Sequence, residues 1–177
     1  MLRRSFTTVA RAWGLSWLLL FSSAAWAEEL SEHRLKAAFV YNFMVFTEWP
    51  PELGAKLNLC VMGADMGSAL DVLVNQKLIG TRTVVVQRIS DRHPVAGCQV
   101  LFLSPAAVAD LPRILESLNG KPVLTLADSP GAARDGVSIN MELRDSKVLF
   151  EVNLKALRSA GLAVSSKLLR LAKVVHQ

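Results

Sequence analysis

The sequence is poor in the residues on which most small enzymes are built. Its three histidines, His33, His93 and His176, lie far apart in 177 residues, with none of the short spacings that hold a metal ion. No metal and no cofactor are therefore expected. Only two cysteines occur, Cys60 and Cys98, and they do not form the Cys-X-X-Cys pair of a thiol-redox catalyst. A Gly-X-Ser-X-Gly nucleophile turn and a Walker-type phosphate loop are both absent. No apolar run reaches the roughly 20 residues that cross a bilayer as a helix. Beyond residue 27 no five-residue window is rich in Lys or Arg, which removes the electrostatic footprint of a nucleic-acid binder.

What is present begins with an export pattern. Arg3, Arg4 and Arg11 precede an apolar stretch at 13–21, and Ala25-Trp26-Ala27 closes it. This order of charged, apolar and small residues is that of a cleavable secretory signal over 1–27, and Arg3-Arg4-Ser5-Phe6 half-resembles a twin-arginine export signal. Cleavage after Ala27 predicts a periplasmic protein of residues 28–177 that begins at Glu28. The leader takes three of the 20 basic residues and none of the 15 acidic ones, so the formal charge falls from +5 to +2. The mature part is nearly neutral, and Trp49 is its only tryptophan. An even cysteine count in an exported domain reads as one disulfide, Cys60 to Cys98.

Along the mature part the hydrophobic period changes from helical to alternating. Leu35, Phe39, Phe43 and Phe46 recur at helical spacing, which predicts a helix over 31–47 with Ser31 as its cap. Glu48-Trp49-Pro50-Pro51 stops it, because proline disfavours helical geometry in the residue before it. The apolar face is wide, with Val40 and Met44 adding to it. Tyr41, Phe46 and Trp49 are accordingly candidates for a partner-binding surface, although aromatics at helical spacing more often fill the core beside a sheet.

Short β-rich runs follow at 57–62, 83–89, 99–103 and 122–127, with helical segments at 66–75 and 105–118 between them. Ser104-Pro105 reads as a cap and first turn, and Pro112 kinks the second helix or restarts it from Asp110. Alternation of this kind predicts an α/β fold: a single Rossmann-like three-layer domain with a mostly parallel sheet. The connection at 90–98 is short for a helical crossover, so the second and third strands need not be neighbours. Runs at 136–143 and 147–152 flank Arg144-Asp145-Ser146 and predict an antiparallel hairpin near the C-terminus that closes the sheet. Asn153 can cap a helix ending near Gly161, and a last helix is expected over 165–175.

Four residues fall where open α/β sheets bind ligands, at the carboxyl ends of strands. They are Gly63, Asp65, Ser104 and Asp128. Each also has a plain structural reading, Gly63 as a strand-to-helix turn, Asp65 and Ser104 as helix caps, and Asp128 as the start of the turn Asp128-Ser129-Pro130-Gly131. Asp128 and Asp135 near one edge do not by themselves make a catalytic pair.

Several separate blocks resemble one family in order and spacing. Lys36-Ala37-Ala38-Phe39-Val40-Tyr41-Asn42-Phe43 with Phe46, Glu48, Trp49 and Pro50 is similar to the opening of the YfiR family. Leu59 to Gly63, Gly97 to Ser104, Pro122 to Asp128, Gly136 to Asn140, Phe150 to Asn153 and Gly161 to Lys173 are similar to its later blocks. The resemblance implies a periplasmic protein of Rossmann-like fold that forms a homodimer. It also implies a partner, the periplasmic domain of an inner-membrane diguanylate cyclase or similar sensor, which such proteins hold inactive and so lower cyclic di-GMP signalling and biofilm formation. Some members carry a second cysteine pair in the region of 128–140, which this chain lacks. The reading is thus a regulatory binding protein, not an enzyme. The alternatives are a periplasmic small-ligand-binding receptor protein feeding a membrane sensor, and a small hydrolase dependent on Asp128.

Overall fold

A computed structural model describes residues 22–63, 66–90 and 95–177, with side chains from residue 31 onward. Helix α1 (Ser22–Val45) runs into a short strand β1 (Thr47–Glu48). Then come β2 (Lys56–Met62), α2 (Ala69–Leu73), β3 (Leu78–Ile79), β4 (Arg82–Ile89) and β5 (Val100–Leu103). A 3-10 turn (Ala107–Asp110) leads into α3 (Leu111–Ser117), followed by β6 (Leu124–Ala127), β7 (Ile139–Arg144) and β8 (Lys147–Asn153). The chain continues through α4 (Leu154–Ser159), β9 (Ala163–Val164), α5 (Ser166–Leu171) and β10 (Val174–His176).

Eight strands form one sheet in the order β10-β8-β7-β6-β5-β2-β4-β3. β4, β2, β5, β6 and β7 run parallel to one another, and within this sheet only β3 with β4 and β7 with β8 pair antiparallel. The central strands read as continuous apolar runs because both of their faces are covered. Leu57, Leu59 and Val61 of β2 enter the core on the α1 side, while Cys60 and Met62 enter the core on the α3 side. β5 divides in the same way, Val100 and Phe102 to one side and Leu101 and Leu103 to the other. Helix α1 covers the first side through Ala37, Val40, Phe43 and Met44, and α3 covers the second through Leu111, Ile114 and Leu118. The three-layer α/β architecture is as the alternation predicts.

β4 and β5 lie on opposite sides of β2, so the short 90–98 connection never has to cross over between adjacent parallel strands. Cys60 and Cys98 form the predicted disulfide, with Cα atoms 5.8 Å apart. The β7–β8 hairpin turns on Asp145 and Ser146, both at positive φ (49° and 59°), the conformation that matches the twist of paired strands. Pro112 sits in the first turn of α3, where its missing N–H leaves no bond unmade. Asn153 Oδ1 accepts from Ala156 N at 2.8 Å and caps α4.

Several boundaries differ from the sequence expectation. Helix α1 begins at Ser22, so Ser31 is not its cap, and the 66–75 segment is helical only over Ala69–Leu73. The Ser104 side chain does not cap; its backbone oxygen accepts from Ala107 and Val108 N instead. β7 starts at Ile139 because Gly136, at φ 111°, belongs to the preceding turn. The hairpin does not close the sheet, since β10 adds outside β8 in parallel, and Val175 belongs to that strand and not to a helix. The signal-peptide reading falls largely on residues 1–21, outside the described residues, and 22–27 form the start of α1. Among the described residues no helix is long and apolar enough to cross a membrane.

Candidate functional site

Strand register builds a polar row at the carboxyl edge of the sheet. Met62 pairs with Leu103 and Leu103 with Ala127, so the next residues, Gly63, Ser104 and Asp128, follow side by side. Because β4 and β5 leave β2 in opposite directions, this row lies at the topological switch point where open α/β sheets bind ligands. Three of the four sequence-predicted edge residues are thereby brought together. Asp65 lies outside the described residues, as does His93.

Alternation along the strands gives Gly63, Ser104 and Asp128 the facing of Val61, Phe102 and Leu126, toward α1. From that helix Lys36 Nζ reaches Asp128 Oδ2 at 3.1 Å and Glu32 Oε1 at 2.7 Å. The Lys36 and Asp128 side chains are only 14% and 13% exposed. Burial lowers the Lys36 pKa, but the bonds to Glu32 and Asp128 outweigh it and hold the ammonium above its ordinary range. For Asp128 burial wins over the attraction of Lys36, and its carboxyl is pushed up.

Three buried polar atoms in this region have no hydrogen-bond partner among the described residues: Ser104 Oγ, Asp128 Oδ1 and Ser129 Oγ. Each such group costs on the order of 1–3 kcal/mol. Glycine is required at 63 twice over, by its φ of 87° and because a Cβ there would collide with Ser104 Oγ. On the other side of the sheet, Gly63 also borders a cleft of about 430 Å³, with Met62 and Ile89 on its floor and Asp110 and Arg113 along it. Sequence reasoning missed Lys36, Glu32 and Ser129. The available signal was Lys36 itself, a cation between Leu35 and Ala37 and three residues before Phe39, where the apolar stretch of the helix begins.

Asp135, the other carboxylate considered with Asp128, lines a different cleft between α3 and α4. Among the described residues no three His, Cys, Asp or Glu side chains converge as a metal-binding set.

The aromatic face of α1 is split. Phe43 is buried and packs at a steep angle against Phe39 and Phe150, with ring centroids 5.9 and 5.1 Å away. Tyr41, Phe46 and Trp49 are half-buried against the same core. Tyr41 donates its hydroxyl to Leu78 O at 3.1 Å, and Trp49 donates Nε1–H to Met44 O at 2.9 Å. The chain after α1 is tied down by the antiparallel β1–β9 pair and by Ser165 N donating to Phe46 O at 2.8 Å. Each of the three rings therefore keeps one side in the fold and one side toward solvent. Val45, one turn beyond Tyr41, is 43% exposed.

Among solved structures the chain is similar in fold to a domain from Streptococcus pneumonia, described as the ABC domain in complex with L-Trp. The two share 9% identity at a TM-score of 0.51, over 67% of this chain and 55% of that one, so this chain spans little more than half its length. At that identity the likeness is one of fold. A family model described as YfiR/HmsC-like matches residues 33–173, from the first turns of α1's described side chains to the residue before β10. With that match running through every strand from β1 to β9, the chain belongs to the YfiR/HmsC-like family.

Proposed function

We propose that this chain is a periplasmic regulatory binding protein that holds an inner-membrane diguanylate cyclase, or a similar membrane sensor, inactive through contact with its periplasmic domain. The observation that carries the reading is the family match over 33–173. A disulfide in the core suits folding in an oxidising compartment. The domain reading is a leader over 1–27 and a regulatory domain over 28–177, acting as a homodimer. The reading is one of recognition and not turnover, with the Asp128 carboxylate at the sheet edge engaged by Lys36.

The partner face in this reading is the outer side of Tyr41, Phe46 and Trp49, continued by the exposed Val45. Aromatic anchors carry much of an interface's energy. The test is co-purification of the disulfide-intact protein with the periplasmic domain of the cyclase. Loss of the complex in a folded Tyr41→Ala, Phe46→Ala, Trp49→Ala variant supports the face, and full binding by that variant refutes it.

A second reading, a periplasmic small-ligand receptor feeding a membrane sensor, is favoured by the unpartnered Ser104 Oγ and Asp128 Oδ1 at the switch point. A small molecule that satisfied them would raise the melting temperature of the wild type and not of Ser104→Ala/Asp128→Asn. Equal shifts in both proteins would remove this reading.

A further inference from the structure

The cleft between α3 and α4 is separate from the polar row and from the aromatic face, and its chemistry is different. It encloses about 320 Å³, at the lower end of the range of small-molecule sites. Leu115, Leu118, Val123, Ala156 and Ala160 supply apolar walls. The polar floor is already committed. Thr125 Oγ1 accepts from Ser138 N at 2.8 Å and bonds Ser138 Oγ at 3.0 Å, while Asn153 spends its oxygen on Ala156 N and donates Nδ2–H to Ala133 O at 2.7 Å. Recognition of any charge must therefore come from the rim.

That rim is cationic. Lys121, Arg134 and Lys155 border the cleft against one carboxylate, Asp135. Lys121 donates one of its protons to Ser117 O at 2.7 Å and keeps two for other acceptors. The Arg134 and Lys155 side chains have no ion-pair or hydrogen-bond partner among the described residues. Arg82, Arg88 and Arg144, by contrast, spend their guanidiniums on carbonyls or carboxylates of the fold. Three cations bordering a concave site with apolar walls and a hydrogen-bonded floor favour a ligand that is anionic at one end and apolar at the other.

We propose that the α3–α4 cleft binds a small organic anion, a carboxylate carried on a compact apolar body, with Arg134 and Lys155 on the carboxylate and Leu115, Leu118 and Val123 on the body. The proposal stands independently of the cyclase partner. Benzoate is the probe, with benzamide and inorganic phosphate as the neutral and body-less controls. Titrated into the purified disulfide-intact protein and followed by backbone amide NMR, benzoate should shift the signals of Thr125, Gly136 and Ala156 saturably. Benzamide and phosphate should bind at least about tenfold more weakly, since each lacks one of the two contacts. Arg134→Ala/Lys155→Ala should weaken benzoate by about tenfold or more with an unchanged melting temperature, both side chains being exposed. Arg113→Ala, at the other cleft, should leave it as it is. No saturable shift at these amides, equal binding of benzamide or of phosphate, or undiminished binding by the double variant would each overturn the proposal.

Discussion

Replacing Cys60 and Cys98 together by alanine tests the link from sequence to core most sharply. The bond joins the central strand β2 to the residue two before β5, and the 38-residue span between the cysteines contains α2, β3 and β4. Unlinking it returns the closure entropy of that loop to the unfolded chain, about 4 kcal/mol in the chain-entropy account. Alanine avoids the second cost of placing a serine hydroxyl where Cys60 and Cys98 are 1% and 6% exposed among apolar neighbours. A loss of that size is a large share of the roughly 5–15 kcal/mol that holds a domain together. Trp49, the only tryptophan beyond residue 27, reports unfolding by fluorescence in urea. With a slope of about 2 kcal/mol per molar, the midpoint should fall by about 2 M, and the slope itself should rise because the unlinked chain exposes more surface. A fall worth less than about 1 kcal/mol would show that the bridge does not constrain the unfolded chain as argued.

Three further outcomes follow from the site geometry. Phe43→Ala, in the buried Phe39–Phe43–Phe150 cluster, should cost about 3–5 kcal/mol, and half-buried Phe46→Ala clearly less; equal losses in urea would make Phe46 a core residue. Ser104→Ala removes a buried hydroxyl without a partner among the described residues, so stability should be unchanged or rise; a loss above about 1 kcal/mol would show that the hydroxyl is satisfied in solution. The Asp128 carboxyl is raised from its ordinary 3.8 by burial, so the folded protein holds that proton more tightly than the unfolded chain. Its contribution to stability is therefore most favourable below the unfolded value and declines as pH rises through the folded one. Wild type should lose stability relative to Asp128→Asn on going from acid toward neutral pH in urea titrations, and a gain would contradict the assigned direction.

The parallel sheet was legible because its strands are apolar on both faces. Leu59 to Met62 and Val100 to Leu103 feed two cores at once and so appear as unbroken apolar runs. The short strands were not: β1, β3 and β9 have two residues each and β10 three, too few for any period to show, and β1, β9 and β10 exist through pairing with distant partners. β10 was hidden for a second reason, since Leu168, Leu169, Ala172 and Val175 mimic a helical stripe that the chain abandons after Leu171. At the candidate site, Gly63, Ser104 and Asp128 could be placed at strand ends from the alternation alone. Lys36 could not be joined to them, because it lies 92 residues from Asp128 and the contact depends on how α1 crosses the sheet. That the hydroxyls of Ser104 and Ser129 are buried without a partner among the described residues gave no signal in sequence, where both look like ordinary capping and turn residues.

The central claim, repression of a membrane-bound cyclase, is tested most directly by cellular cyclic di-GMP in a strain lacking this chain. The account predicts that the level rises and returns to that of the parent when the wild-type protein is restored, but not when a folded Tyr41→Ala, Phe46→Ala, Trp49→Ala variant is supplied. An unchanged level in the deletion strain, with the cyclase expressed, would contradict it.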